Sequence, residues 1–218
     1  MAIHRRDLLR LAAAATVAPA LSSLAGCDDD AAPAAPAVPE YSYDGEPGPA
    51  DLFQHGVASG DPLPDRVILW TRVTQPGAAP VPVFWELALD AEFTERVAAG
   101  DAEARAEVDF TVKVDPEGLS AGTTYYYRLW SLGRVSPTGH TRTAPEGALD
   151  RMALGVCSCA SLGRGFLHAY QGLADADVDL VLHLGDYIYE YGNDGGFSGS
   201  PSGGYFPEHV TVTLTDYR

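Results

Sequence analysis

From Phe53 to about Ala144 the chain alternates apolar and polar positions with period two. Val108, Phe110, Val112 and Val114 alternate with Glu107, Asp109, Thr111 and Lys113, which predicts one strand with a core face and a water face. Trp85, Leu87 and Leu89 alternate in the same way with Glu86, Ala88 and Asp90. Val67 to Val73 supplies another strand between turn clusters at Gly60-Asp61-Pro62 and Gln75-Pro76-Gly77. An all-β sandwich over residues 51–146 is therefore expected.

At Met152 the period is lost. Met152-Ala153-Leu154-Gly155-Val156 is a continuous apolar run, the pattern of a parallel strand covered on both faces, and it ends at Cys157-Ser158-Cys159. A polar turn from Ser161 to Gly165 leads into Phe166 to Ala176, where Phe166, Tyr170 and Leu173 fall at helical spacing. Leu180-Val181-Leu182-His183-Leu184 is a second apolar strand, stopped by Gly185-Asp186. The order is that of a β-α-β unit with parallel strands. Gly192 to Pro207 reads as a glycine-rich surface loop.

Composition narrows the function. Fourteen basic against thirty acidic side chains give a net charge of -16, and Lys113 is the only lysine. No basic patch is large enough to neutralise a nucleic-acid backbone, so nucleic acid is not an expected partner. The ends of the period-two region also bound an N-terminal leader. Arg5 and Arg6 precede an alanine-rich run from Leu8 to Ala25, and residues 1–26 resemble a twin-arginine export signal. Leu24-Ala25-Gly26-Cys27 resembles a bacterial lipobox, which makes Cys27 the candidate lipidation site and the membrane contact a lipid anchor alone. Residues 27–50, with Ala31-Ala32-Pro33-Ala34-Ala35-Pro36, read as a semi-rigid tether. A periplasmic or cell-surface location follows from that reading.

Cys159 and Asp186 both fall at carboxyl ends of parallel strands, the edge where open α/β sheets bind ligands. Tyr189 follows three residues after Asp186. A thiolate, a carboxylate and a phenolate converging on one point suit trivalent iron, which holds a phenolate ionised well below its free pKa of about 10. The same residues also read as a packed thiol, a turn-capping aspartate and a core tyrosine, and spacing alone leaves both readings open. A Cys157–Cys159 disulfide is disfavoured, since i and i+2 positions on a strand stand roughly 6.5–7 Å apart between Cα atoms. Of the two thiols, position at the strand's end favours Cys159 as a ligand and leaves Cys157 to packing. His55 and His140 are isolated histidines near turns and are not expected to bind metal.

Two resemblances extend this reading. Leu119-Ser120-Ala121-Gly122-Thr123-Thr124-Tyr125 resembles the tyrosine corner of Ig/fibronectin-like sandwiches, with Ala121 where proline is usual. Phe53 to Pro62, Val67 to Arg72, Thr111 to Val114, Tyr125 to Arg128, Thr141 to Pro145, Ser158-Cys159 and His183 to Tyr191 together resemble the PhoD-type alkaline phosphatases, in family order. The resemblance implies a sandwich followed, at 149–218, by the first β-α-β unit of an α/β calcineurin-like metallophosphatase domain, incomplete at its C-terminal end. It implies Fe(III) and Ca(II), with Cys159 and Tyr189 as iron ligands and Asp186 as the carboxylate bridging iron to calcium. It also implies hydrolysis of phosphomonoesters and phosphodiesters by metal-activated water, on a small phosphate ester or a phospholipid or teichoic-type substrate. In the family further ligands lie beyond Leu214 to Arg218, so this chain is expected to be an inactive N-terminal portion. A purple-acid-phosphatase-like di-iron hydrolase expects Asp where Cys159 stands. A surface-anchored binding lipoprotein with a vestigial catalytic unit is the alternative of another class.

Overall fold

The structure is a computed structural model that describes residues 37–74, 77–161, 167–191 and 209–218. Strands β1 (Val57–Leu63), β2 (Arg66–Arg72), β3 (Val81–Ala88), β4 (Arg96–Ala104), β5 (Thr111–Val114), β6 (Thr124–Ser131), β7 (Arg134–Val135) and β8 (Gly139–Arg142) come first. One sheet has the order β1-β2-β5; the other has the order β4-β3-β6-β7, with β8 also paired to β6. The pairings in both are antiparallel. Val67 and Leu69 of β2 and Val112 of β5 share one buried cluster with Val83 and Leu87 of β3 and Tyr125, Tyr127 and Leu129 of β6. The expected layered β architecture is thus present, with its core between the sheets.

Three details differ from the sequence pattern. The strand expected over Glu107 to Val114 begins only at Thr111: Ala106–Val108 forms a 3-10 turn, and Asp109 and Phe110 are left-handed, with φ of 56° and 55°. The cause is an ion pair, since Asp109 turns back to receive two hydrogen bonds from Arg72, at 3.0 and 3.2 Å. Phe110 still reaches the core. The second difference is β4, whose Ala- and Gly-rich sequence carries little strand propensity. Its pairing with β3 runs from Val81↔Ala104 to Ala88↔Arg96 and includes Trp85↔Gly100. A Cβ on Gly100 would stand 2.8 Å from the Trp85 ring, so the missing side chain is what admits the indole.

The third concerns Glu86, expected on a water face. Its side chain is only 5% exposed. Arg96 lies 2.7 Å from one carboxylate oxygen, and the other accepts from Arg128 at 2.6 Å and from the Trp130 indole at 2.8 Å. The outer face of this sheet is covered by residues just before the sandwich. Tyr41 stacks on Trp130 at 5.0 Å and accepts from the Gly133 N–H, and Gly48 is held by Leu132 and Arg134. Of the expected 27–50 tether, the part from Tyr41 to Gly48 therefore carries contacts with the fold; residues 27–36, Cys27 included, lie outside the described residues.

Beyond the sandwich, β9 (Leu154–Cys157), α1 (His168–Ala174) and β10 (Leu180–His183) form the expected unit, with β9 and β10 parallel and in register from Leu154↔Leu180 to Cys157↔His183. Phe166, expected on the helix, lies outside the described residues. α1 packs through Leu173, and a Cβ on Gly155 would meet Leu173 Cδ1 at 2.4 Å. The expected burial on both sheet faces is not observed: Leu154, Val156, Val181 and Leu182 are between 39% and 57% exposed. Only one face of this two-stranded sheet has a helix on it among the described residues. α2 (Leu214–Tyr217) begins at a capping box in which Thr213 and Asp216 satisfy each other's backbone N–H.

Candidate metal centre

Where β9 and β10 end, their chains stay laced together. The Leu184 N–H donates to Cys157 O at 2.9 Å, Cys159 N–H to Gly185 O at 3.1 Å, and Ala160 N–H to Asp186 O at 2.9 Å. This crossing of two short turns brings residues 27 positions apart side by side. Cys159 and Asp186 are both left-handed, with φ of 63° and 50°. Each such non-glycine conformation costs about 1–2 kcal/mol, and strain of this kind persists where surrounding structure imposes it, most often at functional sites.

The three expected site residues meet at one atom. Asp186 Oδ2 lies 3.6 Å from Cys159 Sγ and accepts a 2.9 Å hydrogen bond from Tyr189 Oη. Hydrogen bonding to Cys159 and then to Asp186 raises the Tyr189 phenol above its ordinary value of 10, with burial and the charge of Asp186 acting in the same direction. Without a cation, three acidic groups share one small space and the phenol keeps its proton. A multivalent cation would reverse that balance and convert all three into anionic donors. The donor set therefore fits a multivalent cation that accepts both oxygen and sulfur ligands, although it supplies only part of a coordination shell. Among the described residues no group of three or more His, Cys, Asp and Glu side chains forms a metal cluster; the third donor here is a phenol. Cys157 and Cys159 are both free thiols, so the disulfide is absent.

The sandwich is attached at the other end of the β-α-β unit. Arg142 at the end of β8 donates to Asp179 Oδ1 at 2.7 Å, and Asp179 Oδ2 accepts the Ala153 N–H at 2.8 Å. A cleft of about 440 Å³ lies beside this bridge, lined by His140, Thr141, Leu173, Asp177 and Leu180 among others. It sits at the start of β10, whereas Asp186 follows its end. The carboxyl edge with Cys159, Asp186 and Tyr189 is left clear of the sandwich bridge.

Other expected residues have plain structural roles. His55 Nε2 is 2.8 Å from Arg72, and burial followed by the Arg72 charge lowers its pKa. His140 is exposed on β8, opposite Tyr126. His209 pairs with Asp216 at 3.4 Å. The Gly192–Pro207 loop lies outside the described residues. Sequence reasoning placed Tyr170 on a helix face and gave His183 no role; the structure brings their polar atoms to 2.9 Å.

Comparison with known proteins gives a consistent picture. Residues 40–145 match the family model described as PhoD-like phosphatase, N-terminal domain, and residues 154–218 match that of PhoD-like phosphatase. The chain is 39% identical over 175 residues to alkaline phosphatase D of Bacillus subtilis (strain 168), covering 76% of this chain and 30% of that protein. It is similar to the solved structure of PhoD with a TM-score of 0.72 and 36% identity, over 78% of this chain and 35% of that one. The chain thus spans about a third of the length of these relatives.

Proposed function

The chain belongs to the PhoD-like phosphatase family, and on that premise we propose that it carries the iron-binding part of a phosphatase and phosphodiesterase centre. The observation that supports this most is the meeting of Cys159, Asp186 and Tyr189 at one carboxylate oxygen. Two strand ends and a following turn have to be folded together for those atoms to meet. The sandwich is read as Ig/fibronectin-like, a reading supported by the corner hydrogen bond from Ser120 N–H to Tyr125 Oη at 2.8 Å. The β9-α1-β10 unit is read as the opening of a calcineurin-like metallophosphatase domain.

In this reading Cys159 and Tyr189 would hold Fe(III), and Asp186 would be shared between Fe(III) and Ca(II). Bound there, the metals supply acidity to a water and positive charge against the phosphoryl oxygens. As metal donors Tyr189 and Cys159 would act as phenolate and thiolate, whose charges would add to that of Asp186 in balancing a trivalent ion. The substrate is a phosphate mono- or diester, including a phospholipid or teichoic-type polymer. Export by the twin-arginine route, with Cys27 as lipid anchor and the Ala/Pro segment as spacer, completes the reading. Among the described residues no helix is long and apolar enough to cross a membrane.

The test is metal content and hydrolysis of aryl phosphate mono- and diesters by the protein expressed from its own gene. Iron and activity present in the parent and reduced in both Cys159→Ser and Tyr189→Phe support the assignment. Iron content and rates unchanged in both variants would refute it.

A further inference from the structure

The turn that carries Asp186 needs a support that the strand ladder does not provide. Gly185 and Asp186 have φ of 112° and 50°. Their carbonyls are taken by the N–H groups of Cys159 and Ala160. The Gly185 N–H goes instead to its own strand, donating to His183 Nδ1 at 3.3 Å. A ring nitrogen that accepts carries no proton, so the neutral imidazole has its hydrogen on Nε2. Nε2 stands 2.9 Å from Tyr170 Oη on α1, which fixes the direction of that bond: the imidazole donates and the phenol accepts. The phenolic hydrogen is then left free to point away from the imidazole. Cys157 is the register partner of His183, so α1, β9 and β10 meet at this point. Tyr187 closes the other side with an edge contact to the imidazole, 4.9 Å between centroids at 64°.

We propose that His183 is a positioning residue for the candidate metal centre: its Nδ1 holds the Gly185 N–H while its Nε2 is anchored on Tyr170, so that helix α1 braces the turn presenting Asp186 to Cys159 and Tyr189. The purpose rests on the metal reading above, whereas the brace itself belongs to the metal-free fold. Outer partners of this kind orient metal ligands and are felt in affinity as well as in geometry. Leu173 against Gly155 and Tyr170 against His183 give α1 two points of contact on the same sheet face, the second of them next to the site.

The test is amide hydrogen exchange at Gly185 in the metal-free full chain, followed by iron affinity measured by competition with a chelator. His183→Ala removes the acceptor and speeds Gly185 exchange by up to about tenfold, the scale of one lost hydrogen bond. It also weakens iron binding by roughly 10–100-fold. His183→Asn places Oδ1 where Nδ1 stood and keeps exchange near the parent value, whereas His183→Gln replaces only Nε2 and behaves like His183→Ala. Tyr170→Phe keeps the ring and the fold, and produces a smaller change in the same direction in both measurements. Gly185 exchange unchanged in His183→Ala and Tyr170→Phe, or as fast in His183→Asn as in His183→Ala, overturns the proposal. A parent protein that takes up no iron refutes the metal reading alone, because the order of exchange among the variants still decides the role of His183.

Discussion

Asp186 and Tyr189 are joined by a 2.9 Å hydrogen bond from phenol to carboxylate, on the same oxygen that faces the Cys159 thiol. Three residues of separation along an irregular segment would not ordinarily fix such a contact. Here the left-handed Asp186 turn directs it, and that turn is itself tied to the strand end that carries Cys159. Strained backbone and converging acids occur together, and nothing in the packing of the sandwich requires either.

The hydrogen bond from Ser120 to Tyr125 gives a direct stability prediction. Tyr125 is buried, and its hydroxyl accepts the Ser120 N–H. Tyr125→Phe leaves that donor unpaired and costs about 1–3 kcal/mol, which urea unfolding measures. A difference near zero would mean that water replaces the bond, which then contributes nothing.

Glu86 should tolerate little change. Burial alone would raise its pKa, but hydrogen bonds from Trp130 and Arg128, with the charges of Arg128 and Arg96, hold it below the ordinary carboxylate value. Glu86→Gln leaves two arginines facing a neutral amide. Removing one partner of a fully buried pair costs about 3–5 kcal/mol, and the partly solvated arginines bring the expected loss to about 2–3 kcal/mol. Thermal or urea unfolding reads this loss, and Glu86→Gln as stable as the parent would contradict it.

Asp109 sets an acid limit on stability. The hydrogen bond from Arg72, opposed by burial and aided by a hydrogen bond from Arg218, pulls its pKa from 3.8 to about 2. The folded value is depressed, so the stabilisation is complete above the unfolded value of 3.8 and is lost as pH falls from there toward 2. Asp109→Asn should lower stability at neutral pH and flatten the pH dependence within that window. An acid limb as steep in the variant as in the parent would assign it to other carboxylates.

How far the sequence revealed this molecule depends on what each residue answers to. Val67 to Val73 and Trp85 to Leu87 were legible because their partners are generic: any apolar core rewards the same periodicity. The apolar runs around Leu154 and Leu182 were legible as strands but not in their burial, which the described residues leave partial. The Cys159–Asp186 juxtaposition was legible too, since strand ends in a parallel unit lie on one edge. The pattern failed where a specific side chain overrode it. Asp109 leaves the strand to meet Arg72, Glu86 is buried because Arg96, Arg128 and Trp130 surround it, and β4 exists because β3 supplies its partner and Trp85 needs Gly100. The bracing pair Tyr170 and His183 stayed invisible for the same reason, as only the folded register brings helix and strand together.

The most direct test of the central claim is a titration of the metal-free protein with Fe(III) in a chelator buffer, followed by the visible phenolate-to-iron charge-transfer band. The account predicts one bound iron with a band that vanishes in Tyr189→Phe. Cys159→Ser should keep the band and weaken binding by at least roughly tenfold, the lower end of what even outer partners of a metal site contribute. Saturable iron binding with no such band, or a band and affinity that survive both substitutions unchanged, would contradict it.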